Sequence, residues 1–273
     1  MISNYFYHSE KKMENTLILS IIQGITEFIP VSSTAHVILA SKLYGIKTAG
    51  RMTEVSLHIG TLTVVMVYFR QDIKDFFQGL IKLFKGVITK EFNRCLMIGV
   101  ATVPVVIAGY VINTYFNNSF RSLHIMGWTS IFFGMLLLFA DKASPATKKY
   151  ESMTYKDAII VGLFQVLALV PGASRLGTTI IASRLLGYDR VGSARFSFLL
   201  SIPVIIGAMT LLISQSYKTG GLQISTDILF SMALAFVVGC LVLRFVMFYL
   251  KRYSFLPVAV YRIALGTYIL WIL

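Results

Sequence analysis

Long apolar runs alternate with short polar or basic loops along this chain, and the runs set its architecture. Apolar stretches at Val55–Phe69, Cys95–Ile112, Leu123–Ala140, Phe196–Ser214, Ile228–Leu250 and Leu256–Leu273 approach the ~20 residues that an α-helix needs to cross a bilayer. Two further apolar stretches are interrupted by polar residues: Ile21–Gly45 (IIQGITEFIPVSSTAHVILASKLYG) and Leu163–Gly187 (LFQVLALVPGASRLGTTIIASRLLG). A shift of 142 positions lays Gln23 on Gln165, Ser32 on Ser174 and ASKLYG on ASRLLG, with Pro30 and Pro171 out of register by one. Each interrupted stretch precedes three of the spans, and the polar stretch Asp141–Asp157 separates the two sets. The pattern predicts an all-α polytopic membrane protein with six transmembrane helices and two re-entrant helix-loop-helix segments. It reads as two repeats forming one integral membrane domain: residues 1–145, with the re-entrant segment at 17–44, and residues 146–273, with the re-entrant segment at 157–187.

Loop charge bears on whether the broken stretches cross or turn back. If both turn back, one face collects seven basic residues (Lys11, Lys12, Lys42, Lys47, Arg51, Arg121, Lys218) and the other sixteen, concentrated at 70–94, 142–156, 184–195 and 244–252. If both cross, the division is 13 to 10. Basic loops stay in the cytoplasm, so the uneven division favours re-entry and puts both termini outside. Three spans per repeat is an odd number, which inverts one repeat relative to the other.

Composition agrees with a membrane setting. The chain is 56% hydrophobic and only 14% charged, with a mean hydropathy of +0.74. The first apolar run holds Gln23 and Glu27 and lacks the uninterrupted core and cleavage site of a signal peptide. Its net charge of +13 resides in loops between apolar runs, a distribution suited to anionic lipid rather than to nucleic acid. Cys95 and Cys240 both fall in apolar segments and read as buried small residues rather than a disulfide.

Chemistry concentrates at the two interruptions. Charged residues inside a membrane cost roughly 2.5–3.5 kcal/mol at a helix centre on insertion scales, so Glu27, His36 and Arg175 are there for a reason. Gln23 and Glu27, four apart, share a helix face. Pro30 blocks continuation of that helix, and Ser32, Ser33 and Thr34 are natural caps for a new one that carries His36. In the second copy Pro171 and Gly172 break, Ser174 caps, Arg175 opens the next helix, and Thr178 and Thr179 follow one turn on. Two helix N-termini with capping hydroxyls form an anion site, and Arg175 adds a fork suited to phosphate oxygens. Glu27 with His36 supplies a carboxylate and an imidazole for acid–base work or for activating a serine. Plainer readings exist: serines that bond back to backbone, Arg175 as a salt-bridge partner of Glu27, and Gln23 and Gln165 as polar glue. Glu54 and His58, also four apart, are candidates for the pocket mouth, and Arg262 is either internally paired or directed to an interface.

QGITEFIPVSSTAH resembles the first signature of the bacterial undecaprenyl-diphosphate phosphatase family, also known for bacitracin resistance; PGASRLGTT resembles its second. LHIGTL, FSFLLSIP and LPVAVYR are similar to further family segments, so the likeness spans nearly the whole chain. The resemblance implies hydrolysis of the terminal phosphate of undecaprenyl diphosphate. That reaction regenerates the lipid carrier of cell-wall synthesis at a site facing outside the bacterial cytoplasmic membrane. It implies essential roles for Glu27, His36 and Arg175, Gln23 in the first acidic or amide slot, and Ser33 as nucleophile or hydroxyl ligand. Ser32, Ser174 and Thr179 would line the phosphate site. It also implies a divalent cation, magnesium or calcium, that Glu27 and the diphosphate would share. Gln23 stands where many members carry Glu, and Leu176 where a serine often follows the arginine.

The expected reaction is in-line displacement at the terminal phosphorus. Ser33 attacks, His36 relays the proton and Glu27 orients His36; a version with His36 as nucleophile stays open. A lipid flippase or secondary transporter is the rival, because inverted repeats with broken helices are transporter architecture.

Overall fold

A computed structural model of the chain describes residues 2–46, 51–115, 122–218 and 226–273. Regular structure among these residues is helical: α1 (Ile2–Thr26), α2 (Ser33–Leu43), α3 (Arg51–Tyr68), α4 (Arg70–Leu83), α5 (Lys90–Tyr115), α6 (Leu123–Ala143), α7 (Tyr155–Val166), α8 (Arg175–Leu185), α9 (Arg190–Lys218), α10 (Thr226–Tyr249) and α11 (Leu256–Trp271), with short 3-10 turns at Tyr150–Ser152 and Leu167–Leu169. Four helices, α5, α6, α9 and α10, are long and apolar enough to cross a membrane. The apolar parts of α3 and α11 are shorter, and the six stretches expected to span fall on these six helices. With a rise of about 1.5 Å per residue, the 11-residue α2 and α8 are too short to cross a bilayer alone. Pro104 and Pro203 sit inside α5 and α9, which run on as helix past both.

Two features differ from the sequence expectation. The first helix starts at Ile2, so the polar residues ahead of the first apolar run belong to the helix that carries Gln23. No Gly or Pro stands between residues 2 and 23 to break it. The basic stretch after α3 is not plain solvated loop but α4, strongly amphipathic, with Phe77 and Ile81 exposed on it and Phe84 just beyond its end. Apolar residues at Ile73, Phe76, Phe77, Leu80, Ile81 and Phe84 follow the helical repeat.

Helices from the two halves pair with each other. α1 packs on α10 and α7 on α5, while α3 packs on α9 and α6 on α11. Small residues permit the close approaches. A Cβ on Gly60 of α3 would come within 2.4 Å of the Met232 carbonyl of α10, and one on Gly162 of α7 within 2.4 Å of the Ala101 carbonyl of α5. Gly127 and Gly266 let α6 and α11 meet in the same way. Lipid tails are as apolar as leucine, so such backbone contact replaces the hydrophobic drive of a soluble core. Outward, Val106, Ile107, Trp128, Phe132, Leu241 and Phe245 are exposed on the long helices, a surface that fits acyl chains rather than water.

A polar clamp closes the end of the bundle where α6, α8 and α10 stop. Buried Asp141 pairs with Arg184 at 3.0 Å and Arg190 at 2.8 Å, and accepts the Phe255 amide at 3.1 Å. Nearby, the Tyr188 hydroxyl donates to Asp157 at 2.7 Å, beside Lys148. Cys95 and Cys240 are free thiols, each half-buried rather than fully buried as the apolar segments suggest.

Candidate active site

Both interruptions fold into the same device. After α1 ends, a turn through Glu27–Val31 leads to Ser32, whose Oγ accepts the Ala35 amide at the head of α2. After α7, the Leu167–Leu169 turn, Pro171 and Gly172 lead to Ser174, whose Oγ accepts the Gly177 amide at 3.1 Å at the head of α8. Ser32 has φ 71° and Ser174 φ 70°, backbone conformations that L-residues rarely adopt. Such strain costs about 1–3 kcal/mol per residue and gathers at functional sites. Matching strain at matching positions is the structural trace of the sequence repeat.

One side chain holds the two interruptions together. Arg262 of α11, with 0% of its surface exposed, donates from Nη1 to the Pro30 carbonyl at 2.8 Å and from Nη2 to the Gly172 and Ala173 carbonyls at 3.0 Å each. Those carbonyls belong to residues between helices, without the partners a continuous helix supplies. Thr129 of α6 adds a hydrogen bond from its hydroxyl to the Pro171 carbonyl at 2.7 Å. Of the two readings of Arg262 from sequence, internal pairing is the one found.

Between the helix heads, the Glu27 carboxylate gathers three partners. Its Oε1 pairs with the Arg175 guanidinium, and its Oε2 accepts from the Ser33 hydroxyl at 2.8 Å and the Gln23 amide at 2.9 Å. Arg175 also donates to the Ser201 carbonyl at 3.4 Å. A charge pair therefore joins residues 148 positions apart across the repeat boundary. A cavity of about 340 Å³ opens here, walled by Glu27, Ser32, Ser33, Thr34, Gly172, Ser174 and Arg175. Glu54 and His58 of α3 line it too, in keeping with their candidacy from spacing, and so does Gln165 of α7. The rest of the wall is apolar, from residues such as Val105, Met126, Val204 and Leu212.

Other expected residues lie off the wall. Gln23 reaches the site through Glu27. Thr178 and Thr179 are buried behind it, both hydroxyls bonding back to the Arg175 carbonyl at 3.0 and 2.9 Å. The expected relay from Ser33 through His36 to Glu27 is not the arrangement found, because Ser33 donates to Glu27 directly. The His36 Nδ1 stands 2.8 Å from the Ser32 carbonyl, which only accepts, so it carries the proton. Nε2 then accepts from the Tyr261 hydroxyl at 2.6 Å, and the two rings stack. Both nitrogens are thus engaged. Sequence spacing placed His36 one turn from Ser33 but carried no sign of Tyr261, which arrives from α11.

A family model described as "Bacitracin resistance protein BacA" matches residues 16–268. The chain belongs to this family. Both signature stretches of the family likeness fall on the two helix breaks that bound the cavity. Among its relatives is a protein of Ruegeria pomeroyi named undecaprenyl-diphosphatase, 40% identical over 258 residues, covering 94% of this chain and 97% of the relative. Proteins with the same name from Dinoroseobacter shibae and Alteromonas mediterranea are 39% and 38% identical, each over 93% of this chain and 96% of their own length.

Proposed function

We infer that the chain hydrolyses the terminal phosphate of undecaprenyl diphosphate, giving undecaprenyl phosphate and inorganic phosphate, recycling the carrier for peptidoglycan synthesis and conferring bacitracin resistance. The observation that carries the chemistry is the Glu27 carboxylate, which holds a serine hydroxyl and a guanidinium at once on a cavity between two helix N-termini. At about 340 Å³ the cavity suits a diphosphate head and the start of a chain, leaving the rest of the polyprenyl tail in lipid.

These contacts support the following reaction. An incoming diphosphate competes with Glu27 for Arg175, whose fork suits phosphate oxygens. Glu27, relieved of that partner, takes the proton that Ser33 already donates to it, and Ser33 Oγ attacks the terminal phosphorus in line. The bond to undecaprenyl phosphate breaks, while Arg175 and the free amides of α2 and α8 stabilise the charge. Gln23 and Ser32, Thr34, Gly172 and Ser174 shape the phosphate site; Thr178 and Thr179 act through the Arg175 backbone. His36 fixes the strained Ser32 turn through its carbonyl, and is a positioning residue in this reading. Glu27 would be the protein carboxylate for a divalent cation, magnesium or calcium, which would supply positive charge against the phosphate oxygens. Among the described residues no cluster of three His, Cys, Asp or Glu could hold such an ion by itself. Mg²⁺ commonly keeps most of its shell as water and phosphate oxygens, so one carboxylate suffices.

In this proposal the chain is a multi-pass protein of the bacterial cytoplasmic membrane. Its repeats, residues 1–145 and 146–273, are inverted relative to each other. Each contributes three spans and one re-entrant segment, the termini and the active site facing outside. The cross-repeat pairing of α1 with α10 and α7 with α5 supports the inversion, as does the 7-to-16 loop charge.

The test is phosphate release from undecaprenyl diphosphate by purified protein in detergent, with and without chelator. Release without a membrane to cross separates this reading from a flippase; absence of release from well-folded protein refutes it. Trapping labelled enzyme decides the nucleophile, since label on His36 eliminates the serine mechanism.

A further inference from the structure

The cavity holds polar groups that the first half of this reaction does not use. Gln165 lies on α7 with 0% of its surface exposed, it lines the cavity, and neither its Oε1 nor its Nε2 has a hydrogen-bond partner. Its repeat counterpart, Gln23, spends its amide on Glu27. Leaving a buried polar group dry costs about 1–3 kcal/mol, so an amide dry at both ends on a cavity wall is a group waiting for a ligand. Such an amide can do two things together: donate to a phosphoryl oxygen and accept from a water.

His58 supplies the complement. Its Nδ1 stands 2.8 Å from the Glu54 carbonyl and is therefore the protonated nitrogen of the neutral ring. Nε2 is left with a free lone pair on a ring that lines the same cavity. Glu27, Glu54 and Arg175 are the other titratable side chains on that wall. His36, with both nitrogens taken, has no such lone pair to offer.

We propose that Gln165 and His58 form the hydrolytic subsite of this enzyme, used once Ser33 carries the phosphoryl group: Gln165 holds the attacking water, and His58 takes the proton. The proposal rests on Ser33 as nucleophile. After the first step Ser33 carries the phosphoryl group and Glu27 holds the serine proton. Water, held by Gln165 Oε1, attacks phosphorus and loses one proton to His58 Nε2. A new P–O bond forms, the P–Oγ bond breaks, and Glu27 returns its proton to Oγ. Inorganic phosphate leaves, and His58 gives its proton to solvent. An amide that orients the attacking water recurs in other phosphoryl-transfer enzymes.

Rapid-quench kinetics on purified full-length protein test this, following undecaprenyl phosphate and inorganic phosphate separately. For Gln165→Leu and His58→Gln, one equivalent of undecaprenyl phosphate forms at the wild-type rate. Steady turnover then falls on the order of 10²-fold, the lower end for positioned acid–base groups, and label accumulates on Ser33. Gln165→Met keeps the length of the side chain without either polar atom, and gives the same split should the leucine variant fold poorly. For His58→Ala, added imidazole restores turnover at least tenfold. Steady turnover within threefold of wild type overturns the proposal. So does equal slowing of the first and later turnovers, or failure of imidazole to rescue. Ser33→Ala, measured alongside, separates the two readings: loss of the first turnover there upholds the serine mechanism whatever the subsite variants do.

Discussion

Arg262 is the residue whose removal tests the architecture of the site most directly. Arg262→Met keeps the length of the stem and deletes the guanidinium that reaches Pro30 at 2.8 Å and Gly172 and Ala173 at 3.0 Å. A hydrogen bond from a charged donor contributes about 1.5–3 kcal/mol, so three sum to several kcal/mol. Against that stands the cost of burying the arginine itself, which the methionine recovers. The net loss is therefore about 3–5 kcal/mol, the range for breaking a buried charged arrangement on one side. The consequence for catalysis exceeds the loss of stability. Arg262 touches neither Glu27 nor Ser33, yet it ties the segment before Ser32 to the segment before Ser174, and displacement of reacting groups by 1 Å costs about 10²-fold in rate. The assay pairs the thermal midpoint in one detergent with phosphate release from undecaprenyl diphosphate. The expected outcome is a midpoint lowered on the order of 10 °C and turnover reduced about 10²-fold. Arg262→Lys, with a point charge in place of the fork, recovers part of both. Wild-type midpoint and turnover within threefold in the methionine variant would refute the claim that this arginine sets the register of the two helix breaks.

Other outcomes follow from the same geometry. Glu27→Gln and Arg175→Ala each lower turnover by about 10²–10⁴-fold with insertion intact, since in the proposed reaction one removes the base and the other the phosphate fork; membrane-fraction yield and phosphate release check both. Gly172→Ala reduces activity at least tenfold, because φ +90° strains any side chain and its Cβ would lie 2.2 Å from Thr129 Oγ1; the midpoint and rate report it. Gly60→Ala forces α3 from α10, with a Cβ 2.4 Å from the Met232 carbonyl, and costs about 1–3 kcal/mol in a thermal melt while Gly99→Ala, with open space around it, does not. Tyr188 is held above the ordinary tyrosine range, by burial first and then by the Asp157 carboxylate that accepts its hydrogen bond. With the folded value raised, that contribution to stability is complete below pH ~10 and declines as pH rises further. Melts between neutral and strongly alkaline pH should show a steeper alkaline loss in wild type than in Tyr188→Phe.

What the sequence determined is local. Pro30 and Pro171, each followed within three residues by a capping serine, interrupt the chain, Ser32 and Ser174 cap the next helix, and the apolar runs become helices, because each depends mainly on neighbouring residues. The 142-residue repeat was legible too, and it pointed to Glu27, Ser33, His36 and Arg175 as companions; Glu27 meets Ser33 and Arg175, while His36 meets Ser32 and Tyr261 instead. The periodicity of α4 and the pairing of Gln165 with Gln23 were equally present in the letters, though their use was not. Tertiary structure decided which partner each polar group met. Tyr261 comes from 225 residues away to occupy His36, and Arg262, its neighbour, spans two breaks that lie 142 residues apart. Gln23 finds a carboxylate while its counterpart Gln165, buried on the cavity wall, meets no polar partner. Such choices depend on the crossing of helices from opposite halves of the chain, and spacing along one helix carries no information about what packs against it.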